Sequence, residues 1–172
     1  MLETILKRRS IRKYTEEHVT QDQIKKLLQA AMQAPSAGNQ QPWRFLVIND
    51  RGIMEKIPNV HPYASMLPKA PVAILVCGDL SLEKHKGYWV QDCAAATQNL
   101  LLAAEAMGLG AVWLGVYPME DRVQGIRTLF SLPENFVPFS LIPVGKPVSH
   151  PGVIDRFNPD RVTLNNATDP WK

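Results

Sequence analysis

Residues 71–77 read PVAILVC, an unbroken apolar run that is rich in branched side chains. A strand with one face in water would carry polar residues at every second position, and this run carries none. It therefore predicts a strand that is covered on both faces and lies in the middle of a sheet.

Further helices and strands are predicted on both sides of this strand. Thr20 is a suitable N-cap for a helix whose apolar residues recur at helical spacing, and Pro35 lies just beyond the end of that helix because the residue before a proline avoids the α region. Helices are predicted at 2–7, 21–32, 50–57, 88–107 and 120–130. Strands are predicted at 44–49, 71–77, 111–116 and 137–144.

Two segments do not fit a simple sheet covered by helices. The helix at 88–107 is apolar on nearly every side and ends at Gly108, so it needs more cover than one sheet face gives. The last segment, 145–172, carries four prolines and few apolar clusters. We expect this tail to lie against something else instead of forming a core of its own.

The composition indicates one globular domain over residues 1–172. Of its residues, 45% are apolar and 20% are charged, and a chain of this length can bury an ordinary core. The net charge of +3 is too small for a general nucleic-acid binder, so no nucleic-acid partner is expected. Basic residues crowd the segment 7–13, which suits a local anion site.

The sequence favours a cytoplasmic location. Cys77 and Cys93 match no CxxC or zinc spacing, which indicates reduced thiols. The first ten residues, MLETILKRRS, contain no apolar run of the kind that a secretory signal needs. The most apolar stretch of helical length, 89–109, contains five amide or acidic residues, so no membrane span is expected.

The common catalytic motifs are missing from the sequence. The glycines of 108–115 form no dinucleotide fingerprint, because Trp113 occupies the position of the third glycine and a strand follows them instead of a helix. The GKP at 145–147 lacks the glycine that opens a phosphate loop, the four histidines have no metal-binding spacing, and no serine lies in GxSxG. This pattern favours chemistry carried by a cofactor.

A basic motif follows the first predicted helix. Residues 8–12, RRSIR, place three guanidinium groups and a hydroxyl within five positions. The arginines could simply complement the C-terminus of helix 2–7, an effect of about 0.3 to 1 kcal/mol. Together, however, these groups could form several charge-assisted hydrogen bonds to one phosphate, which favours an anionic ligand.

Four motifs in a fixed order carry a family resemblance. They are RRSIRKY at 8–14, APSAGNQQPWRF at 34–45, GLGAVWLG at 108–115 after the apolar helix, and IPVGKP at 142–147 with Arg156 downstream. Together they resemble the FMN-dependent nitroreductase family in its small form. The resemblance spans about residues 1–161, and the first two motifs are its most specific part.

The resemblance implies a fold and an assembly. Members of this family have an α+β fold with a central mixed, mostly antiparallel sheet wrapped by helices. They are homodimers in which the long apolar helix packs against its partner, the C-terminal extension is exchanged, and two FMN molecules lie at the subunit interface. Such a dimer would explain both the all-round apolar helix and the tail without a core.

The resemblance also assigns cofactor contacts to particular positions. The region from Arg8 to Ser10 would hold the phosphate of FMN, and Arg12 would reach the pyrimidine edge of the ring. The loop at 35–41 would lie against the flavin from the partner subunit, and a backbone N–H at Gly115 would approach flavin N5. The full set is Arg8, Arg9, Ser10, Arg12, Pro35, Ser36, Ala37, Asn39, Gln41, Leu114, Gly115, Lys146 and Arg156, with Lys69 as a looser match.

The composition of the 35–41 loop fits this role. A loop that lies against a flat ring needs small residues for close approach and neutral amides for hydrogen bonds. The alternative is a helix-capping loop followed by a buried pair, and it stays open for Pro42 and Trp43 in particular.

The activity that the resemblance implies is an NAD(P)H oxidoreductase. NADH or NADPH would reduce FMN and leave, and a nitroaromatic, a quinone or another small electron-poor acceptor would then be reduced by a ping-pong mechanism. Two alternatives stay open. The same scaffold could carry another reaction, such as dehalogenation, enone reduction or flavin breakdown, or the protein could bind FMN without turnover.

Overall fold

The structure, a computed structural model, describes residues 1–170. In it the apolar run at 71–77 forms strand β2, Val72–Asp79, and every residue of that strand is buried. Strand β2 lies between two antiparallel neighbours, β1, Trp43–Ile48, and β5, Phe136–Gly145. The prediction of a central strand with both faces covered is confirmed.

The remaining elements surround these three strands. Two short strands are β3, Gly110–Ala111, and β4, Leu114–Gly115. The α-helices are α1, Leu2–Lys7, α2, Gln21–Met32, α3, Arg51–Met54, α4, Trp89–Ala106, and α5, Glu120–Leu129. Short 3₁₀ helices occur at Ala37–Asn39, Ile57–Asn59, Leu67–Lys69, Leu80–Leu82 and Pro159–Arg161.

The sheet has the strand order β1-β2-β5-β3, and β4 also pairs with β5. Every pairing between these strands of residues 1–170 is antiparallel. In the described part of the chain, a parallel contact occurs only as an isolated bridge between Ser10 and Ala111. The fold is therefore the expected α+β arrangement with a mostly antiparallel sheet.

The single strand predicted at 111–116 is divided in two, so that prediction is wrong in detail. Ala111 pairs with Val144 and Leu114 pairs with Leu141, so the register is the same before and after the gap. In this register Val112 falls opposite Pro143. Because proline has no N–H to donate to a ladder, the pairing is interrupted there without a slip.

Side-chain caps fix where the predicted helices begin. The Thr20 hydroxyl accepts from the N–H of Gln23 at 3.2 Å, and the Gln23 side chain accepts from the N–H of Thr20 at 2.9 Å. This is a complete capping box. Asp50 caps α3 by accepting from the N–H of Ile53. Helix α3 ends at Met54 instead of residue 57, and a 3₁₀ helix that contains a proline, Ile57–Asn59, follows it.

Helices cover both faces of the sheet. On one face α2 and α4 pack against β2, with Leu27, Leu100 and Ile74 fully buried. On the other face α3 and α5 pack against the sheet around Met54 and Ile126. The sheet is therefore the middle layer between two apolar cores.

Apolar surface stays open at both ends of the chain. Helix α1 has no buried residue. Three of its side chains are nevertheless apolar: Leu2, Ile5 and Leu6, which are 68%, 46% and 54% exposed. No residue from 145 to 170 belongs to the apolar core, as the sequence predicts for the tail. None of the helices in residues 1–170 combines the length and the hydropathy that a membrane span needs.

Candidate functional site

Strand β4 turns the backbone of Gly115 away from the sheet. The N–H groups of Val116 and Tyr117 both donate to the carbonyl of Phe139 at 3.1 Å. Hydrogen-bonded and non-hydrogen-bonded pairs alternate along an antiparallel ladder, so the pair formed by Gly115 and Ser140 is a non-hydrogen-bonded one. The N–H and the C=O of Gly115 therefore both point away from β5.

Two side chains converge on the Gly115 carbonyl. His61 Nε2 lies 3.0 Å from this oxygen, and the Arg122 guanidinium donates to it at 2.9 Å. His61 Nδ1 accepts from the N–H of Tyr63 at 3.3 Å. Because Nδ1 is the acceptor, the proton of the neutral imidazole is on Nε2, and both ring nitrogens have partners.

A cavity of about 390 Å³ opens beside Gly115, and we call it the Gly115 pocket. A Cβ placed on Gly115 would meet no atom within 4 Å, so there is room for a ligand against this backbone. The pocket is lined by Arg12, His61, Pro62, Tyr63, Ser65, Met66, Trp113, Leu114 and Gly115. The structure thus brings together three of the predicted site residues, Arg12, Leu114 and Gly115.

The arginine motif, residues 8–12, is fixed along β3. The N–H of Ile11 donates to the carbonyl of Ala111 at 3.0 Å, and Ile11 itself is buried. A Cβ on Gly110 would come within 2.6 Å of the Ile11 side chain, so this close approach requires glycine. The motif therefore has a defined position next to the strand that leads to the Gly115 pocket.

The arginines of this motif differ in their partners. Arg9 donates to the carbonyl of Gly152, and this hydrogen bond holds the first part of the tail. Arg12 makes only a 3.5 Å contact with the carbonyl of Ser10. Within residues 1–170 the Arg8 guanidinium has no hydrogen bond or ion pair. Arg8 and Arg12 thus keep donors for a ligand.

The loop at 35–41 is held on the first turn of α4. Buried Asp92 accepts from the N–H of Ala37 at 3.0 Å and from the Gln40 side chain at 2.6 Å. Within the loop, the Ser36 hydroxyl accepts from the N–H of Gln41 at 3.0 Å, and the Gln41 amide donates to Asn39 Oδ1 at 2.9 Å. The loop is therefore ordered by its own hydrogen bonds, while Pro35, Asn39 and Gln41 stay exposed.

For Pro42 and Trp43 the structure supports the alternative of a buried pair that follows a capping loop. Both are buried, and Trp43 is 6% exposed within the apolar core beneath α4. These two residues end the loop and begin β1. Their role in the structure is packing.

The loop and the arginine motif lie near opposite ends of α4. The loop is held by Asp92 in the first turn, whereas the motif bonds to β3, which follows the last turn. At 1.5 Å per residue, the 18 residues of α4 span about 27 Å. The structure of one chain therefore does not bring these two groups of predicted site residues together.

Three other predicted cations are placed away from the Gly115 pocket. Lys146 forms a 2.9 Å ion pair with Glu17 on the surface, and Arg156 lies on the exposed tail. Lys69 lines a different cavity, together with Tyr14 and Arg51. Nothing in residues 1–170 brings three or more potential metal ligands together.

Sequence reasoning missed His61, Tyr63 and Arg122. Tyr63 and Met66 lie on the segment between two 3₁₀ helices, and the Arg122 guanidinium stacks over the Tyr63 ring at 5.3 Å from its centroid. His61 and Arg122 are far apart in the sequence and meet only at the Gly115 carbonyl. No spacing in the sequence indicates such a contact.

The burial of His61 predicts that stability depends on pH. His61 is 1% exposed, and this burial is the main reason why its pKa is lowered. The charge of Arg122 also lowers the pKa, whereas the contact with the Gly115 carbonyl and the charge of Asp121 raise it by less. Below about pH 6.5 the unfolded chain binds a proton that the folded chain does not. We therefore expect the free energy of unfolding to fall as pH drops below 6.5, by up to about 1.4 kcal/mol per pH unit.

This dependence is measured by urea unfolding of the wild type and of His61→Gln between pH 8 and pH 5. Glutamine keeps a donor but does not titrate, so the variant is expected to lose less stability over this range. Equal losses in the two proteins would show that His61 does not carry the effect.

The fold and the Gly115 pocket define a class of protein: an α+β protein with a pocket between a short strand and a basic motif. The Nitroreductase family pattern matches residues 5–60 and 54–146. A protein of Methanothermobacter thermautotrophicus, provisionally named an NADH dehydrogenase/NAD(P)H nitroreductase, is 58% identical over 164 residues, which cover 95% of this chain and 86% of that protein.

Solved structures agree with this match. A protein of Parabacteroides distasonis with the same provisional name has a TM-score of 0.92 at 42% identity, with 96% of this chain and 97% of that chain covered. A Desulfovibrio desulfuricans protein, provisionally named a nitroreductase and solved in complex with FMN, has a TM-score of 0.84 at 34% identity, with 99% and 97% covered. The chain belongs to the nitroreductase family.

Proposed function

We propose that this protein is an FMN-dependent NAD(P)H oxidoreductase that reduces small electron-poor acceptors such as nitroaromatics and quinones. The observation that carries the proposal is the backbone of Gly115, whose N–H points away from β5 beside a pocket that also contains Arg12. An N–H donor and a guanidinium on one pocket wall match the needs of a flat, heteroatom-edged ring.

The residues present suit FMN. Open space in front of Gly115 allows a ring to approach the backbone closely. The donors of Arg8 suit a phosphate, and Arg9 and Ser10 lie beside it on the same motif. Lys146 would contribute to the phosphate only if its surface ion pair with Glu17 opens, and Arg156 only if the tail brings it there.

FMN, when bound, supplies the two-electron chemistry, with NAD(P)H as donor and the acceptor following at the same site in a ping-pong cycle. The protein contributes position and charge. Arg12 would stabilise negative charge at the pyrimidine edge of the ring, and the Gly115 N–H would hold the N5 edge. The exposed rim of the pocket, with Tyr63 66% exposed, leaves space for acceptors of different shapes.

The site would be completed by a second copy of the chain. The arginine motif and the 35–41 loop lie near opposite ends of a helix about 27 Å long, so both can contact one FMN only if they come from different subunits. Exposed Leu2, Ile5 and Leu6 on α1, and Val153 and Ile154 on the tail, provide apolar surface for such a dimer. In this homodimer the tail would embrace the partner subunit.

Mixed dimers test this arrangement. Arg8→Ala damages the arginine motif, and Asn39→Gly removes an amide from the loop while tolerating its φ of 53°. In a heterodimer of the two variants, one site would carry both changes and the other neither. We expect half of the sites in purified heterodimers to bind FMN with wild-type affinity. Heterodimers that bind as weakly as the parent variants would contradict the two-chain site.

Turnover separates this proposal from its alternatives. Steady consumption of NADH or NADPH with a quinone or a nitroaromatic is expected from the enzyme, and a protein that only stores FMN would show none. The segment at 80–88 between β2 and α4 is short and includes one 3₁₀ turn, which favours an open pocket over one with a large lid.

Cys77 and Cys93 are buried free thiols, and we propose a cytoplasmic location on that basis.

A further inference from the structure

The contacts of the Gly115 carbonyl are more elaborate than a strand end requires. A backbone carbonyl in this position could be satisfied by water or by a single donor. Here a buried imidazole and a guanidinium both reach it, at 3.0 Å and 2.9 Å. The same glycine lines the pocket in which we place the flavin, and its N–H points away from β5.

His61 is held rigidly on its own side of this contact. Its N–H donates to the carbonyl of Ile57 at 3.0 Å, its carbonyl accepts from the N–H of Ala64 at 3.1 Å, and Ile57 and Ala64 are fully buried. The imidazole is therefore a fixed donor whose orientation is also set by the N–H of Tyr63 on Nδ1. Burial lowers its pKa, which keeps the ring neutral near pH 7.

Arg122 adds a charge to the same place. It lies in the first turn of α5, its guanidinium stacks over Tyr63, and its Nε is a buried donor without a hydrogen-bond partner in residues 1–170. A buried donor without a partner is costly, so its presence here calls for a reason beyond stability. A cation bonded to the Gly115 carbonyl lies beside the Gly115 pocket, where it would favour the electron-rich form of a bound cofactor.

We propose that His61 and Arg122 are positioning residues for the flavin: by holding the Gly115 carbonyl, they fix the direction of the Gly115 N–H, and Arg122 raises the reduction potential of the bound cofactor. This inference rests on the proposed function, because it requires FMN in the Gly115 pocket. It assigns the two residues a role that acts through Gly115 and needs no contact with the substrate.

Pairs of variants separate this role from packing. His61→Leu removes the donor, whereas His61→Gln keeps an amide N–H that can reach the Gly115 carbonyl. Arg122→Met removes the charge, whereas Arg122→Lys keeps it. Arg127→Met is the matched control, because Arg127 is on the same helix and also donates to backbone carbonyls, those of Pro133 and Glu134, away from the pocket.

The measurements are the midpoint potential of bound FMN, the FMN dissociation constant, and the rate of reduction of the bound FMN in a single turnover. The donor is NADH or NADPH, whichever reduces the wild type faster, at a saturating concentration. For His61→Leu and Arg122→Met we expect rates at least tenfold below wild type, and for Arg122→Met also a more negative potential. His61→Gln and Arg122→Lys should recover most of the loss. Arg127→Met should lower the thermal midpoint but change neither potential nor rate.

The outcomes distinguish this inference from the proposed function. If the wild type binds FMN and is reduced by NADH or NADPH, but folded Arg122→Met has an unchanged potential and rate, the inference is refuted and the proposed function stands. If Arg127→Met shifts the potential as much as Arg122→Met, the inference is also refuted. If His61→Leu does not fold, the Arg122 pair still decides. A wild type that takes up no FMN refutes both.

Discussion

Replacing Arg8 with alanine is expected to weaken FMN binding by about 10- to 100-fold. Hydrogen bonds to charged groups contribute about 1.5 to 3 kcal/mol each, and about 1.4 kcal/mol corresponds to a factor of ten in affinity. Arg8 lies on the arginine motif that Ile11 fixes to β3. Its guanidinium has no hydrogen bond or ion pair within residues 1–170. Its loss therefore removes ligand contacts without breaking contacts of the fold.

The measurement is a titration of the apoprotein with FMN, followed by flavin fluorescence, at two ionic strengths. Lys13→Ala is the matched control, because it removes one exposed positive charge next to the motif. It should change the dissociation constant by less than Arg8→Ala, and salt should reduce the difference between wild type and Lys13→Ala. Equal affinities of wild type and Arg8→Ala would show that the phosphate lies elsewhere.

Replacing Arg12 with alanine is expected to affect the reaction more than the binding. Arg12 lines the Gly115 pocket, and its side chain makes one long contact with the carbonyl of Ser10. Removal of one donor aimed at a developing negative charge commonly slows an enzyme by about 100-fold or more. Because Arg12 is exposed and partly screened by water, we expect a loss of about 10- to 100-fold in the rate of flavin reduction.

This rate is measured by anaerobic stopped-flow mixing of the FMN-loaded variant with NADH, at FMN concentrations that saturate the site. Arg12→Lys keeps the charge but not the planar fork, so it should lie between alanine and wild type. Reduction of Arg12→Ala at the wild-type rate would remove the role assigned to Arg12. The two variants together separate phosphate binding from the chemistry at the ring.

The sequence predicts the parts of the fold that depend on local pattern. Strand β2 follows from an apolar run that no exposed strand could carry, and α2 follows from its capping residue and helical spacing. The sequence does not predict the structure of a segment that depends on contact with another strand or helix. The strand predicted at 111–116 is interrupted because Pro143 on a distant strand lacks an N–H, and nothing within 111–116 indicates this.

The candidate site shows the same division. Arg12, Leu114 and Gly115 are predicted by motif resemblance, and the structure places them around one pocket. His61 and Arg122 belong to no motif, and each is an ordinary residue of its own segment. They acquire a role because three separate elements meet at the carbonyl of Gly115, which only the tertiary structure reveals.

The remaining predicted contacts depend on a second chain. Ser36, Ala37 and Asn39 lie on a loop that α4 holds away from the arginine motif. Whether they contact a cofactor is therefore decided by the assembly. The mixed-dimer experiment addresses this point directly.

An anaerobic absorption spectrum decides whether this chain binds FMN and passes electrons through it. The purified protein is supplied with FMN, freed of excess, and recorded before and after NADH, NADPH and then a quinone or nitroaromatic are added. We expect a bound-flavin spectrum that bleaches with at least one donor and returns with the acceptor. A protein that retains no FMN and oxidises neither donor would contradict the account.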